Sequence, residues 1–334
     1  MAVEVTSRAR PLHSPTMFSD LKPTEILAAA DRIRPLIKRT PLIKSSALSE
    51  IAGGDVYLKL ENQQTTGSFK LRGALNVLST LSADARKRGV VASSAGNHGL
   101  GVAYAAKHFG VPATIFVPST APQVKRDGIV ALGATIDTTQ PDYDKAMDAA
   151  KAFAAKRGAT FINPCLGEML LAGQGTVALE ILGDIPALAT LVVNVGGGGL
   201  LGGCASLVRA VAPQVKIVGA QSENTAAMSR SLAAGHLVEI ESLPTLADGL
   251  AGQIDDEAFD IGRHGLDEMV VLSEAEIARA IAWLWEAEHQ RVEGAGACGA
   301  GAVLLEHVRI ATPAAIVVSG GNIDAAKFDR VLNG

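Results

Sequence analysis

The chain has 334 residues, of which 48% are hydrophobic and 19% are charged, and this composition excludes an intrinsically disordered protein. Its 30 basic and 34 acidic residues leave a net charge of −4, so the sequence has no basic stripe that would predict nucleic-acid binding. Three widely spaced cysteines without a CxxC pair exclude a disulfide framework and a thiolate zinc site.

Short apolar runs alternate with segments of helical spacing along most of the chain. Strands are predicted at residues 56–60, 90–93, 113–117, 134–138, 159–162, 191–195, 216–220, 269–272 and 314–318. Helices are predicted at residues 69–81, 99–109, 143–156, 175–182, 200–211, 273–290 and 324–332. Ser273 and Glu276 form the pattern of a capping box at the start of one helix. This alternation predicts an α/β fold with mainly parallel sheets that helices cover on both faces.

One part of the chain has enough elements for a sheet of its own. The strand–helix units between about residues 90 and 163 could form a small sheet, which leaves the flanking segments to form a larger one. We therefore predict two open, twisted sheets with flanking helices. The large domain would contain residues 1–82 and 165–334, and the small domain residues 83–164.

The strongest signal for chemistry is the segment VNVGGGGLLGG at residues 193–203, which follows a predicted strand and opens a predicted helix. Glycines admit a large anion close to the backbone, and a helix N-terminus adds unpaired N–H groups and the positive end of its dipole. A phosphate is the expected ligand. Gly197, Gly199 and Gly202 also match the dinucleotide pattern G-x-G-x-x-G, but Gln221 stands about where that motif expects an acidic residue. A nicotinamide-dependent oxidoreductase is thus an alternative.

A second signal is Lys70, which lies between Phe69 and Leu71 in the segment GSFKLRGA. Beside a buried aromatic ring its amine would be desolvated, and its pKa would fall far enough for the amine to form a Schiff base as a nucleophile. The segment SSAGNHGLG at residues 93–101 exposes backbone N–H groups at a helix start, which suits a carboxylate. There His98 is expected to form hydrogen bonds and not to act as a base.

A phosphate loop, a nucleophilic lysine and a carboxylate nest together indicate a site for pyridoxal phosphate and an amino acid. With these motifs the sequence resembles the fold-type-II pyridoxal-phosphate enzymes, within the family of threonine/serine dehydratases (ammonia-lyases) and serine racemases. The motifs that carry the resemblance are GSFKLRGA, SAGNHG, AGQGT, GGGGLL, TLADGL, VEGAG and SGGN. They span nearly the whole chain after about residue 27, and the resemblance implies a tryptophan synthase β-like fold in which the large domain binds the cofactor.

The resemblance also implies a role for each matching residue. Lys70 would hold the cofactor covalently and exchange the Cα proton of the substrate. The cofactor would contact Phe69, Asn97, Gly196, Gly197, Gly198, Gly199, Leu200, Gly249, Glu293 and Ser319. The substrate would contact Ser94, Ala95, Gly96, Asn97, His98 and Cys165. Asn97 would bind the phenolic oxygen of the ring, the glycine loop its phosphate, and Ser319 the pyridine nitrogen.

The reaction expected from this resemblance is β-elimination. A serine hydroxyl such as that of Ser319 cannot supply the charge that an aspartate would place beside the ring nitrogen, so a long-lived carbanion is disfavoured and the β-hydroxyl leaves promptly. The products would be a 2-keto acid and ammonia, from L-threonine, L-serine or a similar amino acid. Racemases of the family carry a second serine where this chain has Ala95. Dehydration is therefore expected in preference to racemisation, which is an alternative.

Two segments depart from the family pattern. The segment NPCLGEML at residues 163–170 differs from the family pattern that precedes AGQGT. Hydroxyaspartate and a hydroxyectoine-derived amino acid are therefore alternative substrates. Gln221 and Ala227 occupy positions where cation-binding members have carboxylates, and we expect no metal site.

Further expectations concern location and assembly. No apolar run approaches the ~18 residues that span a bilayer, and the first fifteen residues lack the apolar stretch of a secretory signal. We expect a cytoplasmic enzyme with no membrane partner, and relatives imply a homodimer or homotetramer. A β-replacement enzyme and a non-catalytic protein that binds the cofactor or an amino acid are the remaining alternatives.

Overall fold

The computed structural model describes residues 3–4 and 21–333, and the structural statements below concern these residues. The strands are β1 (Val3–Glu4), β2 (Leu42–Lys44), β3 (Val56–Leu60), β4 (Val90–Ser93), β5 (Ala113–Phe116), β6 (Thr135–Asp137), β7 (Thr160–Phe161), β8 (Thr190–Asn194), β9 (Lys216–Ser222), β10 (Glu268–Leu272) and β11 (Ala314–Val318). The helices are α1 (Pro23–Ile33), α2 (Ser46–Ala52), α3 (Lys70–Thr80), α4 (Ala83–Arg88), α5 (Asn97–Phe109), α6 (Gln123–Ala131), α7 (Tyr143–Arg157), α8 (Glu168–Asp184), α9 (Gly199–Val211), α10 (Ala227–Ala234), α11 (Asp256–Gly265), α12 (Glu274–Glu286), α13 (Gly294–Leu304) and α14 (Ala325–Asn333).

The described strands form two sheets. Seven of them make the larger sheet in the order β1-β10-β9-β8-β11-β3-β2, and four make the smaller sheet in the order β6-β5-β4-β7. Strand β1 pairs with β10 and β2 with β3 in antiparallel fashion at the two edges of the larger sheet, and the remaining pairings are parallel. Strands β8 and β11 are buried along their whole length, as expected for strands between two helical layers. The predicted fold class is confirmed.

The smaller sheet takes its strands from one stretch of the chain, between Val90 and Phe161. Its hydrophobic core also takes residues from outside that stretch: Leu71 and Leu75 on α3, and Ile33 on α1, belong to the same buried cluster as Val90. Helix α3 therefore packs against the smaller sheet although it precedes its first strand. The domain division at residues 82–83 and 164–165 stays a prediction.

Every predicted helix and strand has a counterpart, and the largest difference is at α8. This helix begins at Glu168, seven residues before its predicted start. The glycines at its beginning are compatible with a helix because they allow close packing: a Cβ on Gly173 would lie 2.6 Å from the Cα of Gly73 on α3. The predicted capping box is present, since Glu276 N donates to Ser273 Oγ and Ser273 N donates to Glu276 Oε2.

Several helices were not predicted, and α13 shows why. Its sequence, GAGACGAGAVL, is buried from Gly294 to Val303, so no polar face alternates with an apolar one. It packs against α12 and against strands β8, β9 and β11 of the larger sheet. None of the helices in the described part of the chain is long and apolar enough to cross a membrane.

Candidate active site

Lys70 lies at the start of α3, which contacts the segment before α8 and the loop after β11. Its Nζ donates a hydrogen bond to the backbone oxygen of Pro164 at 2.7 Å and lies 5.2 Å from the centroid of the Phe69 ring. Phe69 N donates to Ser319 O at 3.1 Å, which fixes the start of α3 against the loop after β11. The amine is therefore directed at the segment that leads into α8.

A buried network of charges holds α3 in place behind Lys70. The Arg72 guanidinium, which is fully buried, donates to Glu61 at 2.7 and 2.8 Å and to Glu180 at 2.7 and 3.0 Å. Lys59, also fully buried, donates to Glu180 at 2.5 Å and to Thr40 O at 2.8 Å. Burial alone would raise the pKa of Glu180, but Arg72 and Lys59 outweigh it and hold this pKa below its usual value. Two cations and two anions thus compensate each other in the interior.

The glycine loop lies between the carboxyl end of β8 and the start of α9. Gly198 has a φ of +88°, a conformation that favours glycine, and it caps α9. A Cβ on Gly197 would lie 2.6 Å from the Sγ of Cys165, so the loop packs closely on that side. Cys165 follows Pro164, whose oxygen accepts from Lys70. The predicted phosphate loop and the predicted nucleophile are therefore linked through two consecutive residues.

Ser319 lies directly after β11 and is almost fully buried. Its Oγ donates to the backbone oxygen of Ala295 at 3.2 Å and accepts from Nδ2 of Asn194 at 3.2 Å. Asn194 is the last residue of β8 and precedes Val195 and the glycine loop. Asn194 was not among the site residues predicted from the sequence. The available signal was an amide at the end of an otherwise apolar strand.

Asn97, the first residue of α5, has both ends of its amide engaged. Its Nδ2 donates to Glu293 Oε1 at 2.6 Å, and its Oδ1 accepts from Nδ2 of Asn322 at 2.6 Å. Glu293 is buried, and this burial, together with the charge of Asp248, raises its carboxyl pKa to about 7 despite the hydrogen bond from Asn97. The motifs SAGNHG, VEGAG and SGGN therefore meet at one cluster of side chains.

The loop between β4 and α5 is built from main-chain and small polar groups. Gly96 N donates to Ser94 Oγ at 3.1 Å, and Ala95 packs against the core of the smaller sheet. His98 Nε2 donates to Ile162 O at 3.0 Å, and its Nδ1 is buried with no hydrogen-bond partner among the described residues. Burial, and then the charge of Lys70, lower the pKa of His98 to about 3. The imidazole is neutral at physiological pH, which agrees with a hydrogen-bonding role.

An ion pair beside this cluster connects α6, which packs against the smaller sheet, with a turn that packs against α13. Lys125 on α6 lies 3.0 Å from the carboxylate of Asp248, which belongs to the 3₁₀ turn Asp248–Leu250. The next residue, Gly249, packs against α13, since a Cβ there would lie 2.9 Å from the Cβ of Ala295. Leu200, the second residue of α9, is buried.

Contacts connect several of the predicted site residues to Lys70 or to one another. Lys70 contacts Pro164, which is followed by Cys165 against the glycine loop, and Phe69 is bonded to Ser319 through the backbone. Asn97 and Glu293 lie beside Gly320, the residue after Ser319. Their individual roles in binding a cofactor or a substrate stay predictions.

Comparison with known proteins identifies the family to which the chain belongs. Residues 33–320 match the family model described as pyridoxal-phosphate dependent enzyme. The chain is 46% identical over 310 residues to L-threonine ammonia-lyase of Thermotoga maritima, an alignment that covers 92% of this chain and 77% of the relative.

Solved structures show the same relationship. The fold is similar to maize serine racemase, with a TM-score of 0.88, 31% identity and coverage of 93% of this chain and 97% of that one. It is also similar to the processed form of threonine deaminase isoform 2 from Solanum lycopersicum, with a TM-score of 0.88, 31% identity and coverage of 99% and 97%. The resemblance stated from the motifs is confirmed, and the nicotinamide alternative is not supported. The chain belongs to the pyridoxal-phosphate dependent enzyme family.

Proposed function

We propose that the protein is a lyase that uses pyridoxal phosphate to remove the β-hydroxyl and amino groups of L-threonine or L-serine, with release of a 2-keto acid and ammonia. The relative from Thermotoga maritima is named as an L-threonine ammonia-lyase, and the alignment covers most of both chains. Within the fold, the carrying observation is the link from the Lys70 amine through Pro164 and Cys165 to the glycine loop.

The residues of the site fit pyridoxal phosphate in their chemistry. The glycine loop presents backbone N–H groups at the N-terminus of α9, where an anionic phosphate is stabilised. The Lys70 amine forms a hydrogen bond with a main-chain carbonyl and no ion pair with a carboxylate of the described residues, so the amine is free to attach covalently to an aldehyde once this hydrogen bond breaks. The hydroxyls of Thr66 and Ser68 are buried with no hydrogen-bond partner in the described part of the chain, and they are available to polar atoms of a ligand.

Each part of the site then has a task. Residues 196–200 would hold the phosphate, and Asn97 and Ser319 would bind the polar atoms of the ring. Phe69 would keep the Lys70 amine in position beside the ring. When bound, the cofactor withdraws electrons from the Cα of the amino acid. Lys70 moves the Cα proton, and the hydrogen bond to the carbonyl of Pro164 sets the starting position of the Lys70 amine. Backbone N–H groups of the loop from Ser94 to His98 would bind the substrate carboxylate, and for this the N–H of Gly96 would leave Ser94 Oγ.

Racemisation is the second candidate, because the fold is similar to that of maize serine racemase. A racemase needs a proton donor or acceptor on each face of the Cα. The loop between β4 and α5 carries Ala95, whose methyl group can transfer no proton, and the imidazole of His98 is neutral and bonded to Ile162 O. We therefore place elimination before inversion.

The substrate side chain is proposed to lie toward Cys165 and Leu166, which follow Pro164. These two residues are uncharged and favour a small or apolar β-substituent. Hydroxyaspartate and hydroxyectoine-derived amino acids would need a polar or cationic partner there, so they rank behind threonine and serine.

The domain division and the assembly state are part of the proposed function. Residues 1–82 and 165–334 would form the large cofactor-binding domain and residues 83–164 the small one. The protein would act in the cytoplasm as a homodimer or homotetramer, and light scattering coupled to size-exclusion chromatography measures that assembly state.

The function is tested by loading the purified protein with pyridoxal phosphate and incubating it with L-threonine, L-serine, D-serine and hydroxyaspartate, with keto acid and enantiomer composition as readouts. We expect near-visible absorbance from the bound cofactor and keto acid from L-threonine. Lys70→Ala should abolish both, whereas Lys107→Ala, a change at an exposed lysine of α5, should abolish neither. A protein that stays colourless, or that inverts serine with little keto acid, would refute the proposal.

A further inference from the structure

Asn194 connects the strand before the glycine loop with the elements on either side of it. Its side chain is only 3% exposed. The amide oxygen accepts from Gly299 N at 2.7 Å. The amide nitrogen lies 2.9 Å from Val317 O, 3.2 Å from Ser319 Oγ and 3.3 Å from Gly296 O. Asn194 therefore contacts α13, β11 and the loop that follows β11.

The number of protons on this amide determines what Ser319 can do. An asparagine NH₂ has two N–H groups, and the shortest contact, to Val317 O, uses one of them. The second N–H lies between Ser319 Oγ and Gly296 O. Because this N–H donates to one lone pair of Ser319 Oγ, the hydroxyl proton points elsewhere, and here it is donated to Ala295 O at 3.2 Å.

We propose that Asn194 is a positioning residue that keeps the Ser319 hydroxyl a hydrogen-bond donor toward the pyridine nitrogen of the cofactor, and so keeps that nitrogen unprotonated. The inference rests on the proposed function, since it requires the cofactor in this site. An N–H group that donates to a hydroxyl oxygen makes that hydroxyl a stronger donor and a weaker acceptor. A protonated ring nitrogen would need Ser319 Oγ as an acceptor, and the Asn194 N–H already occupies one of the two lone pairs of that oxygen and weakens it as an acceptor. With the cofactor bound, the hydroxyl proton would turn from Ala295 O to the ring nitrogen.

Other groups around Ser319 do not replace Asn194 in this task. Three elements that contact Ser319 or its neighbours carry titratable side chains: Glu293, which lies beside Gly320, Lys70, which follows Phe69, and Cys298 on α13. Glu293 accepts from Asn97, Lys70 donates to Pro164 O and the thiol of Cys298 donates to Gly294 O. Their hydrogen bonds are directed away from Ser319 Oγ.

The test follows the ring nitrogen directly. The holoenzyme is prepared with ¹⁵N-labelled pyridoxal phosphate, and the ¹⁵N chemical shift is recorded against pH for wild type and Asn194→Asp, which keeps the acceptor for Gly299 N but loses the amide donor. We expect the protonation midpoint of the ring nitrogen to rise by roughly one pH unit, which is the size expected when one hydrogen bond is lost. Asn194→Ala, which introduces no carboxylate, should shift it in the same direction.

Asn76→Asp is the matched control. Asn76 is a fully buried asparagine of α3 whose amide donates to Met169 O at 2.6 Å and accepts from Arg32 at 2.9 Å. The same chemical change there should leave the ring-nitrogen midpoint where it is in wild type. A shift of similar size in this control would mean that the readout reports loosened packing, which would overturn the inference.

A double-mutant cycle separates positioning from a merely structural role. In the Ser319→Ala background Asn194→Ala should have no further effect on the ring nitrogen, because the hydroxyl through which Asn194 acts is gone. An unmoved midpoint in both Asn194 variants, or an equal shift with and without Ser319, would overturn the inference. If the wild-type protein takes up no cofactor at Lys70, the proposed function fails as well. Uptake and keto acid formation with an unmoved nitrogen resonance would refute only the role of Asn194.

Discussion

Asn97 donates a hydrogen bond of 2.6 Å to the buried carboxylate of Glu293, and this bond joins the first residue of α5 to the residue that precedes α13. Helix α5 flanks the smaller sheet, whereas α13 packs against strands of the larger one. The bond therefore connects the two sheets at the candidate active site. A carboxylate in such a place has a marked effect on how stability depends on pH.

We predict that Glu293→Gln removes a pH-dependent cost to folding. Burial raises the carboxyl pKa of Glu293 from 4.5 to about 7 in the native protein, so the unfolded chain ionises first as the pH rises. Below pH 4.5 the group is protonated in both states and contributes nothing. Between pH 4.5 and 7 the cost grows, and above pH 7 it is constant at roughly 3 kcal/mol, from ~1.4 kcal/mol for each pKa unit.

Urea unfolding of both proteins at several pH values measures this cost. The free energy of unfolding of Glu293→Gln, relative to wild type, should increase from pH 4.5 to 7 and then level off. Glu50→Gln, at an exposed carboxylate of α2, controls for the change in net charge. A difference between Glu293→Gln and wild type that is the same at pH 5 and pH 8 would contradict the prediction.

The sequence predicted the fold class because the central strands are continuous apolar runs bounded by glycine, proline or polar residues, as Val90–Ser93 and Ala314–Val318 are. It placed the start of α8 seven residues too late and missed α13, two helices whose glycines pack against neighbouring backbone. Gly173 fits against Gly73, a residue 100 positions away, and no local pattern shows that contact. In such helices the tertiary contact replaces the amphipathic period that a sequence can show.

The site was predictable wherever a short motif carries its own chemistry. The glycine loop and Lys70 are examples, since a backbone anion site and an amine are each recognisable in a few residues. Asn194 and the partners of Arg72 were not, because their significance comes from residues distant in the chain, such as Ser319 and Glu180. An isolated amide or arginine in a sequence does not show whether it will be buried.

Two glycines of the loop provide a steric prediction. A Cβ on Gly196 would lie 2.9 Å from the Cα of Leu250, and one on Gly199 would lie 2.9 Å from the backbone oxygen of Cys165. Backbone atoms cannot rotate away as a side chain can, so Gly196→Ala and Gly199→Ala should displace the loop at a cost of about 1–3 kcal/mol. We expect the affinity for pyridoxal phosphate, measured by absorbance titration, to fall about tenfold or more.

Gly183→Ala in the last turn of α8 is the matched control for these variants. A Cβ there would have no neighbour within 4 Å, and alanine is the better helix former. Cofactor affinity should stay at the wild-type level. Wild-type affinity in Gly196→Ala and Gly199→Ala as well would show that the loop does not hold the phosphate.

The buried charge network predicts a large effect of one arginine. Arg72→Leu would leave the fully buried carboxylate of Glu61 without its guanidinium partner. Removal of one partner from a buried pair costs about 3–5 kcal/mol, whereas an exposed pair contributes less than about 1 kcal/mol. Arg34→Leu, which breaks the exposed pair of Arg34 with Asp31, is the control. Comparable losses in the free energy of unfolding for the two variants would show that the network is not an energetically coupled unit.

The residues at and after the carboxyl end of β9 offer few oxygen ligands, so we predict that the enzyme needs no divalent cation. Gln221 stands there with its Oε1 accepting from Ser229 N at 3.3 Å, and its Nε2, a donor that cannot bind a cation, is buried without a partner in the described structure. Ala227 at the start of α10 supplies no oxygen from its side chain, and a hard cation requires six or more oxygen ligands. Dialysis against EDTA should therefore leave both keto acid formation and Tm unchanged. A rise in Tm on addition of Mg²⁺ or Ca²⁺, which binding to the native state alone would produce, would contradict this reasoning.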